Sequence, residues 1–258
     1  MISREDFQRG LRTELVGKRL FVFESIDSTN TCAKTLADAG TEEGIVVLAD
    51  VQTAGRGRLD RTWNSEAGTN LLFSLLLRPE LPIERTGLLT FFAAVSVCRA
   101  LETFIGNLVE CKWPNDLLLN GKKICGILLE TSLRNAKLEY AVMGIGLNVN
   151  QKHFEGDLEM NATSLIRELG TEFDRRQIFR AILVEMDTLY KDVLRCSFGR
   201  ILEEWNRRCR MFGRPVTVAM ESSHVSGTAI GLEADGGLII RTGSGLQTVR
   251  AGDVSLPL

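Results

Sequence analysis

Two uninterrupted apolar runs constrain this chain more than any other feature. "GIVVLADV" at residues 44–51 and "NLLFSLLL" at 70–77 are continuous rather than alternating. A strand with one wet face alternates apolar and polar residues, so a short continuous run reads as a strand buried on both faces. Between the two lies a polar stretch, "QTAGRGRLDRTW" at 52–63, in which Arg56, Arg58 and Arg61 are interleaved with glycines. A tight polar connection between two buried strands is where a rigid scaffold presents functional groups.

The rest of the chain supplies layers for those strands. The pattern predicts a short helix over 5–16, a strand over 19–24, and a helix in "STNTCAKTLADAG" with Ser28 or Thr29 as its cap and Gly40 at its stop. A long helix is expected over 84–105, then strands in "LVECKWPNDLLLNGKKICGILLET" and "LEYAVMGIGLNVN", with Asn120-Gly121 as a hairpin turn. Ile178, Ile182, Met186, Leu189 and Val193 recur at threes and fours and define an amphipathic helix over 174–195, with Asp174 as cap; "FGRILEEWNRRC" reads as another helix. Past residue 211 the texture changes to period-two alternation with a tight turn at "ADGG". The expected fold is α+β: a mixed-sheet domain over 1–211 and a small SH3-like barrel over 212–258.

Charge and cysteine usage narrow the function. The net charge is −2, so the loop arginines are local chemistry rather than part of a nucleic-acid surface. The six cysteines are scattered without a C-x-x-C pair and fit reduced thiols in a cytosolic protein. Histidines occur only at 153 and 224, near no cysteine, which leaves a zinc site without ligands. The charged start "MISREDFQRG" is no secretory signal, and the uncharged stretch 86–98 is too short to span a bilayer. The expected location is the cytoplasm.

Four constellations carry possible chemistry. The glycines of "GRGR" permit a backbone nest for an anion, and the arginines add fork-shaped donors for phosphate or carboxylate; a solvated surface loop is the bland alternative. Trp63 offers a stacking face, or is simply core. In "KWPNDLLLNGKK", Pro114 breaks the strand and presents Lys112, Asn115 and Asp116, where Asp116 is otherwise a turn cap. Alternation turns Lys123 inward if Lys122 faces water. "GIGLNVN" matches a dinucleotide motif only superficially, and Asn148 either reads an adenine edge or ends the strand. "SIDSTN" caps a helix and places Ser28, Thr29 and Asn30 at its N-terminus. A P-loop, a G-x-S-x-G elbow and an H-E-x-x-H motif are all missing, which favours chemistry by charge stabilisation and positioning.

Taken together and in order, "QTAGRGRLDRTW", "KWPNDLLLNGKKICGILLE" and "GIGLNVN" make the chain resemble the biotin protein ligases, from "ESIDSTN" at residue 24 to the C-terminal barrel. The resemblance implies a mixed sheet related to class II aminoacyl-tRNA synthetases and an SH3-like C-terminal domain. It implies ATP-dependent, AMP-forming activation of biotin, with Mg²⁺, and transfer to a lysine of the biotin carboxyl carrier protein of acetyl-CoA carboxylase. About twenty residues precede the catalytic part, so the expectation is a monofunctional ligase without a DNA-binding module. By the same resemblance Ser28, Thr29 and Gln52 would bind the ureido ring, and Gly55, Arg56, Gly57 and Arg58 would form the biotin and phosphate loop. Arg61, Trp63 and Asn148 would hold the adenylate, and Lys123 would meet the biotin carboxylate and α-phosphate, with Asp116 an active-site carboxylate of open role. Members of the family occur as monomers and as dimers, so a homodimer is allowed. Two other readings stay open: lipoate or octanoate attachment on a related fold, and a non-enzymatic nucleic-acid-binding module. Asp60, an acid among the loop arginines, has no role in any of them.

Overall fold

The computed structural model describes residues 2–59, 61–220 and 223–255. In chain order the elements are α1 (Arg4–Gln8), β1 (Leu20–Ile26), α2 (Thr29–Asp38), β2 (Val46–Gln52), β3 (Leu71–Leu77), α3 (Leu88–Ile105), β4 (Val109–Lys112), β5 (Asp116–Leu119), β6 (Lys122–Arg134) and β7 (Lys137–Leu147). There follow α4 (Leu158–Asn161), α5 (Leu165–Leu169), α6 (Arg175–Leu194), α7 (Gly199–Arg208), then β8 (Pro215–Ala219), β9 (His224–Leu232), β10 (Leu238–Thr242), β11 (Gly245–Val249) and β12 (Asp253–Ser255). Among the described residues the strands form a seven-stranded sheet in the order β1-β2-β3-β7-β6-β5-β4 and a five-stranded sheet in the order β11-β10-β9-β8-β12.

The continuous apolar runs become β2 and β3, near the middle of the larger sheet. Val46 and Leu48 belong to the main core, while Val47 packs with Ala33, Ala37, Leu76 and Val142 under α2 on the opposite face. Both faces are therefore buried, as the missing alternation requires. β1 and β2 pair in parallel with α2 as their crossover, and the remaining neighbours pair antiparallel. The apolar α3 is the core helix, with twelve buried residues, and packs against α6 and α7. Ile83–Ile105 is long and apolar enough to cross a membrane, but two-thirds of its apolar window is buried inside the protein.

Several caps match the sequence. Ser28 caps α2 by accepting from the Thr31 amide, and Asp174 caps α6 by accepting from the Arg176 amide. Asn120 and Gly121 both have positive φ, the geometry of a two-residue hairpin turn. The helix expected over 5–16 is shorter, ending at Gln8. Gly10 turns at φ 79°, and the amides of Glu14, Leu15 and Val16 bond the Asp187 carboxylate of α6 instead of helical carbonyls. A long-range acceptor thus outcompetes the local helix.

Candidate functional site

The site forms where the loop after β2, the break between β4 and β5, and the glycine-bearing stretches of β6 and β7 meet. The arginine loop is a small hairpin. The Trp63 amide bonds the Gly55 carbonyl at 2.9 Å, the Gly57 amide bonds the Arg61 carbonyl at 2.6 Å, and Arg56 bridges to Thr62. Of the four amides in the GRGR stretch, Gly57 bonds the Arg61 carbonyl within the hairpin. Gly55 also serves close approach: a side chain there would collide with the Trp63 carbonyl. Asp60 lies outside the described residues.

The loop brings Trp63 down onto β6 and β7. A Cβ at Gly126 would lie 2.7 Å from Cζ3 of the indole, and one at Gly146 would lie 2.6 Å from Cζ2. Gly126 and Gly146 are cross-strand partners, so together they make a bare floor for the ring. This explains the "GIG" pattern without a dinucleotide: Gly146 admits Trp63, and Gly144 admits Asn30. The indole Nε1 is buried and has no hydrogen-bond partner among the described residues.

Beside this floor stands the Lys123–Asp116 ion pair at 2.7 Å, with Nζ 5.6 Å from the Trp63 ring centroid. The pairing of β5 with β6 slips by one residue, since Leu118 opposes Lys123 but Leu117 opposes Cys125. The resulting bulge at Ile124 gives Lys123 its aim. Lys122 lies on the other side, near Glu168; burial works against ionisation of Glu168, but hydrogen bonds from Thr163 and Asn120 and the charge of Lys122 outweigh it and hold the carboxyl below its usual range. The two lysines thus diverge as alternation predicts.

On the opposite wall the amide and hydroxyl of Thr29 both approach Gln52 Oε1, at 2.8 and 3.0 Å. Ser28 and Thr29 are buried at the start of α2. Gln52 Nε2 lies 3.3 Å from the Cβ position of Gly55, so this polar wall adjoins the loop.

The three arginines have separate partners. Arg56 pairs with Glu130 at 2.7 Å. Arg58 donates to Asn115 Oδ1 at 3.1 Å and to the Gly252 carbonyl at 3.3 Å, and both Arg58 and Arg61 pair with Asp253, at 3.5 and 2.5 Å. The C-terminal sheet therefore reaches the loop through the start of β12. Asn148 is buried, with its Nδ2 donated to the Thr163 carbonyl at 3.0 Å and its Oδ1 facing Asn70 at 3.4 Å. The sequence left it between reading an adenine edge and ending the strand; in the structure it lies just past β7 and holds the chain there against the segment before α5.

Sequence reasoning missed Glu130, Ser74 and Asp253. Glu130 ends the apolar run of β6 and has no local signal, and Ser74 is the lone hydroxyl in a buried strand. Asp253 meets the loop arginines only through the tertiary fold. Burial works against ionisation of Glu130, but hydrogen bonds from Asn30 and Lys34 and the charges of Arg56 and Lys34 outweigh it and hold the carboxyl below its usual range. Among the described residues no group of three acidic, His or Cys side chains is placed to hold a metal.

The site thus combines a mixed sheet, a cationic loop, an inward lysine and a small C-terminal β-domain that reaches the loop. Residues 22–148 match the Biotin/lipoate A/B protein ligase family, and residues 211–256 match the Biotin protein ligase C terminal domain. The bifunctional ligase/repressor BirA of Bacillus subtilis is 35% identical over 257 residues, covering 99% of this chain and 79% of that protein. The biotin–[acetyl-CoA-carboxylase] ligase of Paracoccus denitrificans is 33% identical over 233 residues, 88% of this chain and 96% of its own. The biotin protein ligase of Aquifex aeolicus, solved with biotin and ATP, superposes with a TM-score of 0.79 at 32% identity and covers 93% of this chain and 99% of its own. The chain belongs to the biotin protein ligase family, and it is a ligase.

Proposed function

We propose that this ligase converts biotin and MgATP to biotinyl-5′-AMP and pyrophosphate, and then transfers biotin to a lysine of a biotin carboxyl carrier protein. The names of the Paracoccus denitrificans and Mycobacterium tuberculosis relatives, both biotin–[acetyl-CoA-carboxylase] ligases, support that acceptor. The reading divides the chain into a catalytic part through residue 211 and a barrel from 212, working in the cytoplasm. Magnesium enters with the nucleotide as part of the substrate.

One observation carries the assignment of roles. The Lys123 ammonium stands beside the Trp63 ring that ends the arginine loop, paired with Asp116. Biotin's carboxylate is already ionised at neutral pH, with an ordinary pKa of about 4, and needs no general base. Its obstacle is an anion approaching an anion. Lys123, Arg58 and Arg61 offset that repulsion as the carboxylate oxygen bonds the α-phosphorus and pyrophosphate leaves. Ser28, Thr29 and Gln52 hold the ureido ring, Arg56 and the Gly55–Gly57 turn close over the acid, and Trp63 packs the adenine. Asn148 supports the nucleotide side. In the second step the neutral carrier amine attacks the acyl carbon and AMP leaves, with Asp116 beside Lys123 placed to take the amine's proton.

The test is transfer of labelled biotin to an apo carrier domain with MgATP, with lipoate as the control acid. Label on the carrier from biotin alone is expected, and labelling by lipoate at an equal rate would overturn the reading. Transfer from preformed biotinyl-AMP by Asp116→Asn separates the base role: an unchanged rate removes it.

A further inference from the structure

We infer that Glu130 is a positioning residue that anchors a buried hydrogen-bond relay packed behind the acid-binding wall; this rests on the ligase reading above. The relay runs Glu130–Asn30–Ser74–Thr29–Gln52. Asn30 Nδ2 donates to Glu130 Oε2 at 2.8 Å, Ser74 Oγ lies 2.5 Å from Asn30 Oδ1 and 2.7 Å from Thr29 Oγ1, and Thr29 leads to Gln52 at 2.8 and 3.0 Å. Asn30 is 3% exposed and Ser74 fully buried, so water does not rescue a wrong polarity.

Counting protons fixes the Asn30 end of the relay. An ionised carboxylate only accepts, so Asn30 must turn its NH₂ toward Glu130 and its Oδ1 toward Ser74. The reverse amide would place two oxygens face to face. Three oxygen–oxygen contacts then share two hydroxyl protons. The Ser74 proton goes to Asn30 Oδ1 at 2.5 Å, because reversing it leaves two acceptors at that distance. Ser74 Oγ also lies 2.7 Å from Thr29 Oγ1, and Gln52 Oε1 accepts from both the Thr29 hydroxyl at 3.0 Å and the Thr29 amide at 2.8 Å. Gln52 therefore keeps both Nε2 protons for the site. The same Glu130 carboxylate receives Arg56 from the loop at 2.7 Å and Lys34 from α2 at 3.0 Å. One charge thus anchors both the relay behind the wall and Arg56.

The neutral isostere separates this from bulk stability. Glu130→Gln keeps the size but removes the charge that holds Asn30 and Arg56, leaving Asn30 Nδ2 only its longer bond to the Leu128 carbonyl at 3.4 Å, and Ser74→Ala cuts the relay while leaving every charge in place. In biotin-dependent ATP–pyrophosphate exchange, each variant is expected to raise KM for biotin by roughly tenfold while KM for ATP stays within about twofold. Glu130→Asp, which keeps an accepting charge, is expected to recover part of that loss, and Lys34→Ala to leave both constants within about twofold of the parent. A KM for biotin within about twofold in Glu130→Gln and Ser74→Ala overturns the inference, as does an equal rise in both constants. If Glu130→Gln fails to fold, Ser74→Ala decides. Absence of biotin-dependent exchange in the parent protein is a different result and strikes the ligase reading itself.

Discussion

Gly146→Ala probes the glycine floor. The added Cβ would lie 2.6 Å from Cζ2 and 2.9 Å from Cδ2 of Trp63, both inside ordinary carbon contact. The backbone cannot yield, because Gly146 is paired on both sides, with Leu72 of β3 and Gly126 of β6. The half-buried indole must therefore lift, by about 1 Å to restore normal packing distances. Overpacking of this kind costs about 1–3 kcal/mol when confined, and less where one edge of the ring is open to water. Misplacement by about 1 Å can cost on the order of 10² in rate, so adenylate formation is expected to fall far more than stability. Iodide quenching of tryptophan fluorescence reads the displacement, because Trp113 and Trp205 are 2% and 1% exposed and shielded from the quencher. Quenching should rise in Gly146→Ala, and in a Trp63→Ala background the glycine substitution should add little further loss of rate. Parental quenching together with a parental rate in Gly146→Ala would refute the reasoning.

Other perturbations address other parts of the account. Lys123→Ala should slow adenylate formation by on the order of 10²–10³, measured as single-turnover biotinyl-AMP synthesis. Asp253→Asn frees Arg58 and Arg61 from the barrel and should speed trypsin cleavage in the loop several-fold, while the thermal midpoint moves little because Arg61 is 69% exposed. Glu204 is buried among Arg99, Arg200 and Arg208, so Glu204→Ala should destabilise the protein by about 3–5 kcal/mol in urea unfolding. The hydrogen bond from Arg99 holds Glu204 below the usual range. Its pairs therefore stabilise above the ordinary carboxylate pKa of about 4.3 and are lost as pH falls through the lower folded value, so the gap between parent and variant should close in acid.

The layered part of the fold was legible because burial leaves a pattern. The two continuous runs, the helix at 174–195 and the Asn120-Gly121 turn each carry their cause in adjacent residues. The first helix was overextended because the acceptor that unwinds it, Asp187, is far away in sequence. The same limit governed the site. Lys123, Asp116 and Trp63 lie at recognisable breaks and converge in the structure. The sequence did not show that Gly55, Gly126 and Gly146 are also needed for close packing, because conformational freedom and close packing share one residue type and the position of Trp63 is set by the fold. Glu130 and Ser74 sit inside strands and act by what they touch, so no local period or motif marks them. Asn148 showed its position at the end of a strand but not the internal bonds that occupy its amide.

The central claim is that the polar wall, the inward lysine and the arginine loop form one site for activating biotin. Isotopic exchange between pyrophosphate and ATP, run on the parent protein with biotin, with lipoate and with no acid, tests it most directly. The account predicts exchange with biotin and background rates with lipoate or no acid. Equal exchange with lipoate, or none with biotin, would contradict it.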